Sequence, residues 1–507
     1  MTPRTEPNPE PARELTRTNT RTNTRTNTRA LFVVPPTGKF IRESRCQTPI
    51  DELKTISLRP PIDLLYAAAG FETGGCQCRL TDYPAEDLDW DDLRRELAEF
   101  KPRFLVLEIT TPTLEEDLRA AAIAKEVDPA IVTVAKGAHF NVFDREALAA
   151  HPALDMVLRG EYETACVELA RGAAVENLQG VTWRGADGQV RRNPDRPFED
   201  NLDAFPFPAR HLIKNELYIR PDTGALQTTV VTNRGCPYNC IFCLASQVAG
   251  HKNRHRSVEN VVAELRECVE RHGIRSFLFR SDLFTQRKEW VIALCKAIID
   301  SGLDIEWASN SRVDSLNEEV LEWMKRAGCW IVALGVESGV EEHLRLMNKR
   351  ADTSQALAAV KTCRKMGLLT SVYMLMGLPW EDADSIRENI RFFKKLDADF
   401  TEIFYIYPFP GTPLYELAVE KGLLKPGEIP RDAYSGPAMP TLYLSLEELA
   451  QWRKRALRRF YLRPRYLVRT LWRALRERTL LNYLRVGFLE ILGLFTPQRL
   501  KRQPSKR

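Results

Sequence analysis

Three cysteines stand close together in the run Arg234-Gly235-Cys236-Pro237-Tyr238-Asn239-Cys240-Ile241-Phe242-Cys243, spaced C-x3-C-x2-C. The β-branched run Thr228-Thr229-Val230-Val231-Thr232 just before them predicts a strand that delivers the loop. Three thiolates on one tight loop can hold three irons of a [4Fe–4S] cluster. Such clusters are ordinarily held by four Cys thiolates, so this loop would leave one iron open to another ligand. The same residues also read as a zinc site completed by His251 or His255, or as three unrelated cysteines. Structural zinc usually pairs two short clusters, and only one is found here.

At this loop the sequence resembles the radical SAM superfamily. Cys236, Cys240 and Cys243 match that family's cluster ligands one by one, and Phe242 matches the aromatic residue before the last Cys. The resemblance implies a [4Fe–4S] cluster whose open iron is chelated by the amino and carboxylate groups of S-adenosylmethionine (SAM).

Elements that could position such a site follow in order. Ser257 predicts the cap of an amphipathic helix with the apolar stripe Val258, Val261, Val262, Leu265 and Val269, and Gly273 predicts its end. Strands are expected at Thr228–Thr232, Ser276–Arg280, Ile305–Ser309, Trp330–Gly335, Thr370–Leu375 and Thr401–Ile406. Helices separate them, which makes six β/α units and an open, partial barrel. The strand ends are polar where a scaffold would not need it. By resemblance, Asp282, Asn310, Arg312, Glu337 and Ser338 contact the methionine and ribose parts of SAM, and backbone near Met376 and Gly377 lines the adenine. Read alone, any of these could be a helix cap or a barrel salt bridge.

The first half also alternates strands and helices. Strands at Leu31–Val34, Cys76–Thr81, Phe104–Ile109, Ile131–Val134 and Asp155–Leu158 predict a parallel, doubly wound sheet. Such sheets bind ligands at their strands' carboxyl ends, here near Pro35, Asp82, Thr110, Gly137 and Gly160. Lys136-Gly137-Ala138-His139 and Arg159-Gly160-Glu161-Tyr162-Glu163 resemble two turns of the cobalamin-binding domains fused to radical SAM domains. The resemblance implies a Rossmann-like domain with Gly137, His139, Gly160 and Glu161 at cobalamin. The Asp-x-His-x-x-Gly signature that supplies a histidine to cobalt is absent. This leaves the lower face of cobalt unligated, water-bound, or approached by Thr110 and Thr111.

The expected domains are a disordered low-complexity stretch at 1–29, a cobalamin-binding-like domain at 30–171, a linker at 172–226, a radical SAM domain at 227–440 and a basic helical tail at 441–507. Arg-Thr-Asn-Thr repeats three times between Arg17 and Thr28 and cannot bury a core. The 507 residues carry a net charge of +5. From Leu446 onward seventeen Lys/Arg stand against four Glu, a net of +13, which leaves the rest at −8. Eleven cysteines without a secretory signal point to a reducing cytoplasm. The Arg-rich tail, with its Leu, Tyr, Trp and Phe, reads as a membrane-surface element at the inner face or as helices packed on the barrel with solvated arginines. It lacks any recognised nucleic-acid-binding module, so no nucleic acid is expected.

The resemblance implies an enzyme that cleaves SAM to a 5′-deoxyadenosyl radical, with cobalamin as a further cofactor. It implies methylation or rearrangement of an unactivated carbon on a hydrophobic metabolite, lipid, polyprenoid or tetrapyrrole-like, and an electron donor such as flavodoxin or ferredoxin. The rival readings are an oxidative cyclase or ring-contraction enzyme without functional cobalamin, and a non-catalytic iron–sulfur or zinc protein.

Overall fold

The computed structural model describes residues 28–43, 46–49, 58–220, 222–430 and 436–476. The expected disorder of 1–29 therefore falls almost wholly outside the described residues. The chain is α/β, with two largely parallel sheets.

The first sheet has the strand order Gln77–Asp82, Arg29–Val34, Phe104–Glu108, Val132–Lys136, Met156–Leu158, Val181–Arg184, Val190–Arg192. The first five strands are parallel and the last two antiparallel. The apolar runs Leu31–Val33 and Leu105–Leu107 are wholly buried, because helices cover both faces. One face packs on the helices Ile62–Thr73 and Glu163–Ala170, the other on Trp90–Phe100 and Arg119–Val127.

One detail departs from the expectation. Residues 172–226 do more than connect, since two of the sheet's strands lie there. Their hairpin turns at Gly185–Gly188, where Gly185 N–H donates to the Gln189 carbonyl and Gly188 supplies the left-handed backbone of a tight turn. The segment 114–127 forms two helices, Leu114–Asp117 and Arg119–Val127, that meet at Leu118. Asp117, buried just before Leu118, accepts from Arg42 (2.7 Å) and Thr113.

The second sheet runs Gln227–Val231, Ser276–Arg280, Glu306–Arg312, Cys329–Glu337, Leu369–Met376, Phe400–Tyr405, all parallel and in chain order. This is the expected open six-stranded barrel. Its first helix, Val258–His272, is capped by the Ser257 hydroxyl and ends at a left-handed Gly273. Helices Lys288–Asp300, Glu318–Arg326, Thr353–Lys365 and Ala383–Leu396 bury their apolar faces in one core centred on Trp307, Phe279 and Val332.

Two helices follow, Leu446–Tyr461 and Pro464–Arg476. The first closes the barrel core with Leu449, Trp452 and Ala456. The remainder of the expected tail, 477–507, lies outside the described residues. Among the described residues, no helix is long and apolar enough to cross a membrane.

Candidate active site

The cysteine loop leaves the first barrel strand through a sharp turn at Gly235. Its φ is +92°, and a Cβ there would lie 2.0 Å from the Lys252 carbonyl oxygen, so only glycine fits. The Gly235 N–H donates to the Asp282 carboxylate at 2.5 Å. The loop is tied at its far end as well. Ile241 N–H donates to the Met347 carbonyl (3.1 Å), and Asn348 Nδ2 donates to the Asn239 carbonyl (2.9 Å).

Arg312 performs part of this anchoring. Its guanidinium stacks 3.8 Å from the Tyr238 ring centroid. It also donates to the Lys349 and Arg350 carbonyls (2.9 Å each) and to Asp314. Glu337 sits in left-handed backbone with φ +67°, a strained state for a non-glycine residue, and accepts from the buried Lys349 ammonium at 2.7 Å. Burial pushes the Cys240 thiol up, and the nearby Lys349 and Arg312 cations pull it back down. Cations beside thiolates favour the ionised, metal-binding form.

The loop opens onto a cavity of about 340 Å³. Phe242, Cys243, Asp282, Asn310 and Glu337 line its barrel wall, and Gly137, Gly160 and Glu161 line the wall from the first domain. The carboxyl ends of both sheets therefore meet at one space. Gly137 is held against the neighbouring strand end, where a Cβ would lie 2.2 Å from the Ile109 carbonyl oxygen.

Other expected site residues lie off these walls. Ser338 is fully buried and bonded to Asn389 at 2.9 Å. Met376 packs in the barrel core, and the Gly377 N–H donates to Glu381 at 2.6 Å. His139 is buried among Phe140 and Phe143 with its pKa lowered to about 4 by burial, which makes it a neutral core histidine. Thr110 shares a hydrogen bond with Thr113, and the Thr111 N–H donates to Gln47 at 2.7 Å. Thr110 belongs to the hydrogen-bonded knot around Asp117, to which its N–H donates at 3.4 Å. Glu161 lines the cavity, but its carboxylate is clamped by Arg254 through two 2.9 Å contacts and by Arg234 at 3.3 Å. These two arginines flank the cysteine loop in sequence and join it to the first domain.

Several lining residues carry no signal of their own in the sequence. Asp63 pairs with Arg280 across 217 positions. Lys136 donates to Glu108 at 3.0 Å and lies 4.5 Å from the Tyr162 ring centroid. Burial pushes the Glu108 carboxyl up, and Lys136 acts against it. Tyr373, Leu375, Glu402 and Phe404 come from the last two barrel strands. Alternation along those strands points them inward.

Residues 230–393 match the radical SAM superfamily, and residues 57–170 match the B12 binding domain. A relative from Pyrococcus horikoshii, named uncharacterized methyltransferase PH0819, is 31% identical over 446 residues, spanning 87% of this chain and 94% of its own. The chain belongs to the radical SAM superfamily, in the branch that carries a B12 binding domain. A second relative, the anaerobic magnesium-protoporphyrin IX monomethyl ester cyclase of Rubrivivax gelatinosus, is 27% identical and spans 70% of this chain and 66% of its own. The radical SAM methyltransferase TsrM of Kitasatospora setae, solved with cobalamin and a [4Fe–4S] cluster, superposes with a TM-score of 0.63 at 19% identity over 78% of each chain. At that identity the likeness is one of fold.

Membership brings a [4Fe–4S] cluster, SAM and cobalamin as cofactors, and the residues fit them. The radical SAM loop offers three thiols, a backbone N–H 3.4 Å from the Cys243 sulfur and two cations near Cys240. His255, a candidate fourth ligand in the zinc reading, packs its ring 4.8 Å from the Trp290 ring centroid instead. The B12-domain wall is glycine-bearing, with open space where a Gly160 Cβ would point.

Proposed function

We propose that this radical SAM enzyme transfers a methyl group to an unactivated carbon of a hydrophobic metabolite, with cobalamin and SAM bound at the two walls of one cavity. The observation that carries the reading is the shared cavity, which puts the cysteine loop and the B12-domain strand ends on one space. When bound, the cluster and SAM supply a carbon-centred radical and cobalamin supplies a methyl carrier.

The chain's own residues bind and orient. Cys236, Cys240 and Cys243 hold the cluster. Glu337, fixed by Lys349, and Asn310 accept or donate hydrogen bonds to the polar end of SAM, and Asp282 fixes the turn at Gly235 beside it. Arg312 serves as the brace of the loop rather than as a carboxylate clasp. Gly137 and Gly160 allow the corrin to approach the backbone. His139 stays in the core, so this chain offers no histidine to cobalt from that turn.

Leu158, Val231, Leu375, Phe404 and Phe409 give the cavity apolar walls that suit a hydrophobic substrate. The Rubrivivax relative, a cyclase of a magnesium-protoporphyrin ester, agrees with that class. The same relative supports cyclisation as a second reading. The first sheet's last strand, Val190–Arg192, supports extending the B12-type unit past the expected end at 171. A one-electron donor such as flavodoxin or ferredoxin would reduce the cluster in a reducing cytoplasm, where three thiols stay available.

The test is anaerobic reconstitution. A broad absorbance band in the blue, lost in Cys240→Ala, together with 5′-deoxyadenosine formed on reduction with SAM, is expected. Stoichiometric zinc without that band would sink the reading. Label passing from methyl-labelled SAM to product separates methylation from cyclisation.

A further inference from the structure

The helix Pro464–Arg476 lies on the barrel with Arg469 and Arg473 turned inward. Arg469 donates to the Ala398 carbonyl (3.0 Å) and pairs with Asp397 (3.1 Å), and Arg473 pairs with Asp399. Arg463, just before the helix, donates to the Lys394 carbonyl at 2.9 Å. Tyr466 and Ala474 fill the remaining contact surface. The opposite face carries Leu467, Val468, Leu471, Trp472 and Leu475, which are 46–69% exposed. Their spacing places them on one stripe. A contiguous apolar patch of this kind marks an interaction surface.

Cations rim the stripe. Arg465 has 82% of its side chain exposed, and the Arg476 guanidinium lies 5.4 Å from the Trp472 ring centroid. Arg455 and Arg459 are exposed on the preceding helix, and no acidic residue lies between 464 and 476.

We propose that this stripe docks on an anionic phospholipid bilayer. An apolar face needs the acyl boundary, and the rim needs negative headgroups within a few ångströms of it. A bilayer surface supplies both, and Trp and Arg favour that depth. A second copy of the chain would set one arginine rim against another. The docking surface is on the far side of the barrel from the cavity. Asp397 and Asp399 precede the strand Phe400–Tyr405, so the helix sits at the strands' amino ends, whereas the cavity lies at their carboxyl ends. Docking therefore leaves the cavity mouth free. The proposal stands independently of the catalytic reading.

The full-length reconstituted enzyme is sedimented with vesicles of phosphatidylcholine alone or with one-third phosphatidylglycerol. The expected result is binding to the anionic vesicles that weakens with salt and falls at least tenfold in L471E/W472E and in V468E. Cluster absorbance and SAM cleavage stay unchanged in both variants, which shows that they fold. Three results overturn the proposal. One is binding undiminished in the variants. Another is no binding with Trp472 protected from oxidative footprinting, which assigns the stripe to residues 477–495. The third is no binding with a dimer that the variants dissociate, which assigns it to a second copy.

Discussion

A single atom decides much at the residue scale. Gly235 turns the chain where a Cβ would meet a carbonyl oxygen at 2.0 Å. Gly235→Ala should lose most of its reconstituted cluster and about 3 kcal/mol or more of stability, because left-handed backbone and a hard clash combine there. Iron content per chain and chemical unfolding check both. Lys349 acts through charge. Lys349→Met removes the cation beside Cys240 and leaves Glu337 unpaired, so the cluster potential should fall by tens of millivolts, measurable by redox titration followed by electron paramagnetic resonance. His139 supplies a pH signature. Its folded pKa of about 4 lies below the ordinary value near 6.5, so the unfolded chain takes a proton first as pH falls. Its contribution is full above pH 6.5 and is lost on the way down to pH 4, amounting to about 3 kcal/mol. His139→Leu should flatten that part of the stability curve.

At the scale of elements, the barrel was legible because its signals are local. Ser257 as cap, Gly273 as stop and the stripe between them fix one helix, and strand ends such as Ser281-Asp282 fall where the alternation puts them. The cysteine loop was legible for the same reason, since its ligands are neighbours in sequence. Pairings across the fold were not. Asp63 meets Arg280, and Glu161 meets Arg254, only because two domains close on each other. Glu161 consequently reads as a ligand contact in sequence and as an interface clamp in space. Arg312, expected at the SAM carboxylate, also stacks on Tyr238, which the sequence did not signal. The two antiparallel strands after residue 180 were hidden by a polar hairpin too short to show a period. The clamp has a measurable consequence. Arg254→Ala leaves Glu161 buried without its main partner, which costs about 3–5 kcal/mol for a buried pair. The variant should lose corrinoid affinity and domain cooperativity in calorimetry, and keep its cluster.

At the scale of the whole molecule, two parallel sheets present their carboxyl ends to one cavity, and a basic helix rides on the opposite end of the barrel. The arrangement assigns binding to loops and rigidity to strands, which is how open α/β sheets bind ligands. Everything at this scale depends on the cysteine loop leaving one iron open and on SAM occupying it. Electron–nuclear double resonance on the anaerobically reduced enzyme, with SAM carrying a labelled amino nitrogen, tests this directly. The expected result is a resolved nitrogen coupling and an altered cluster signal when SAM is added. A cluster signal that is identical with and without SAM, with no nitrogen coupling, would contradict it.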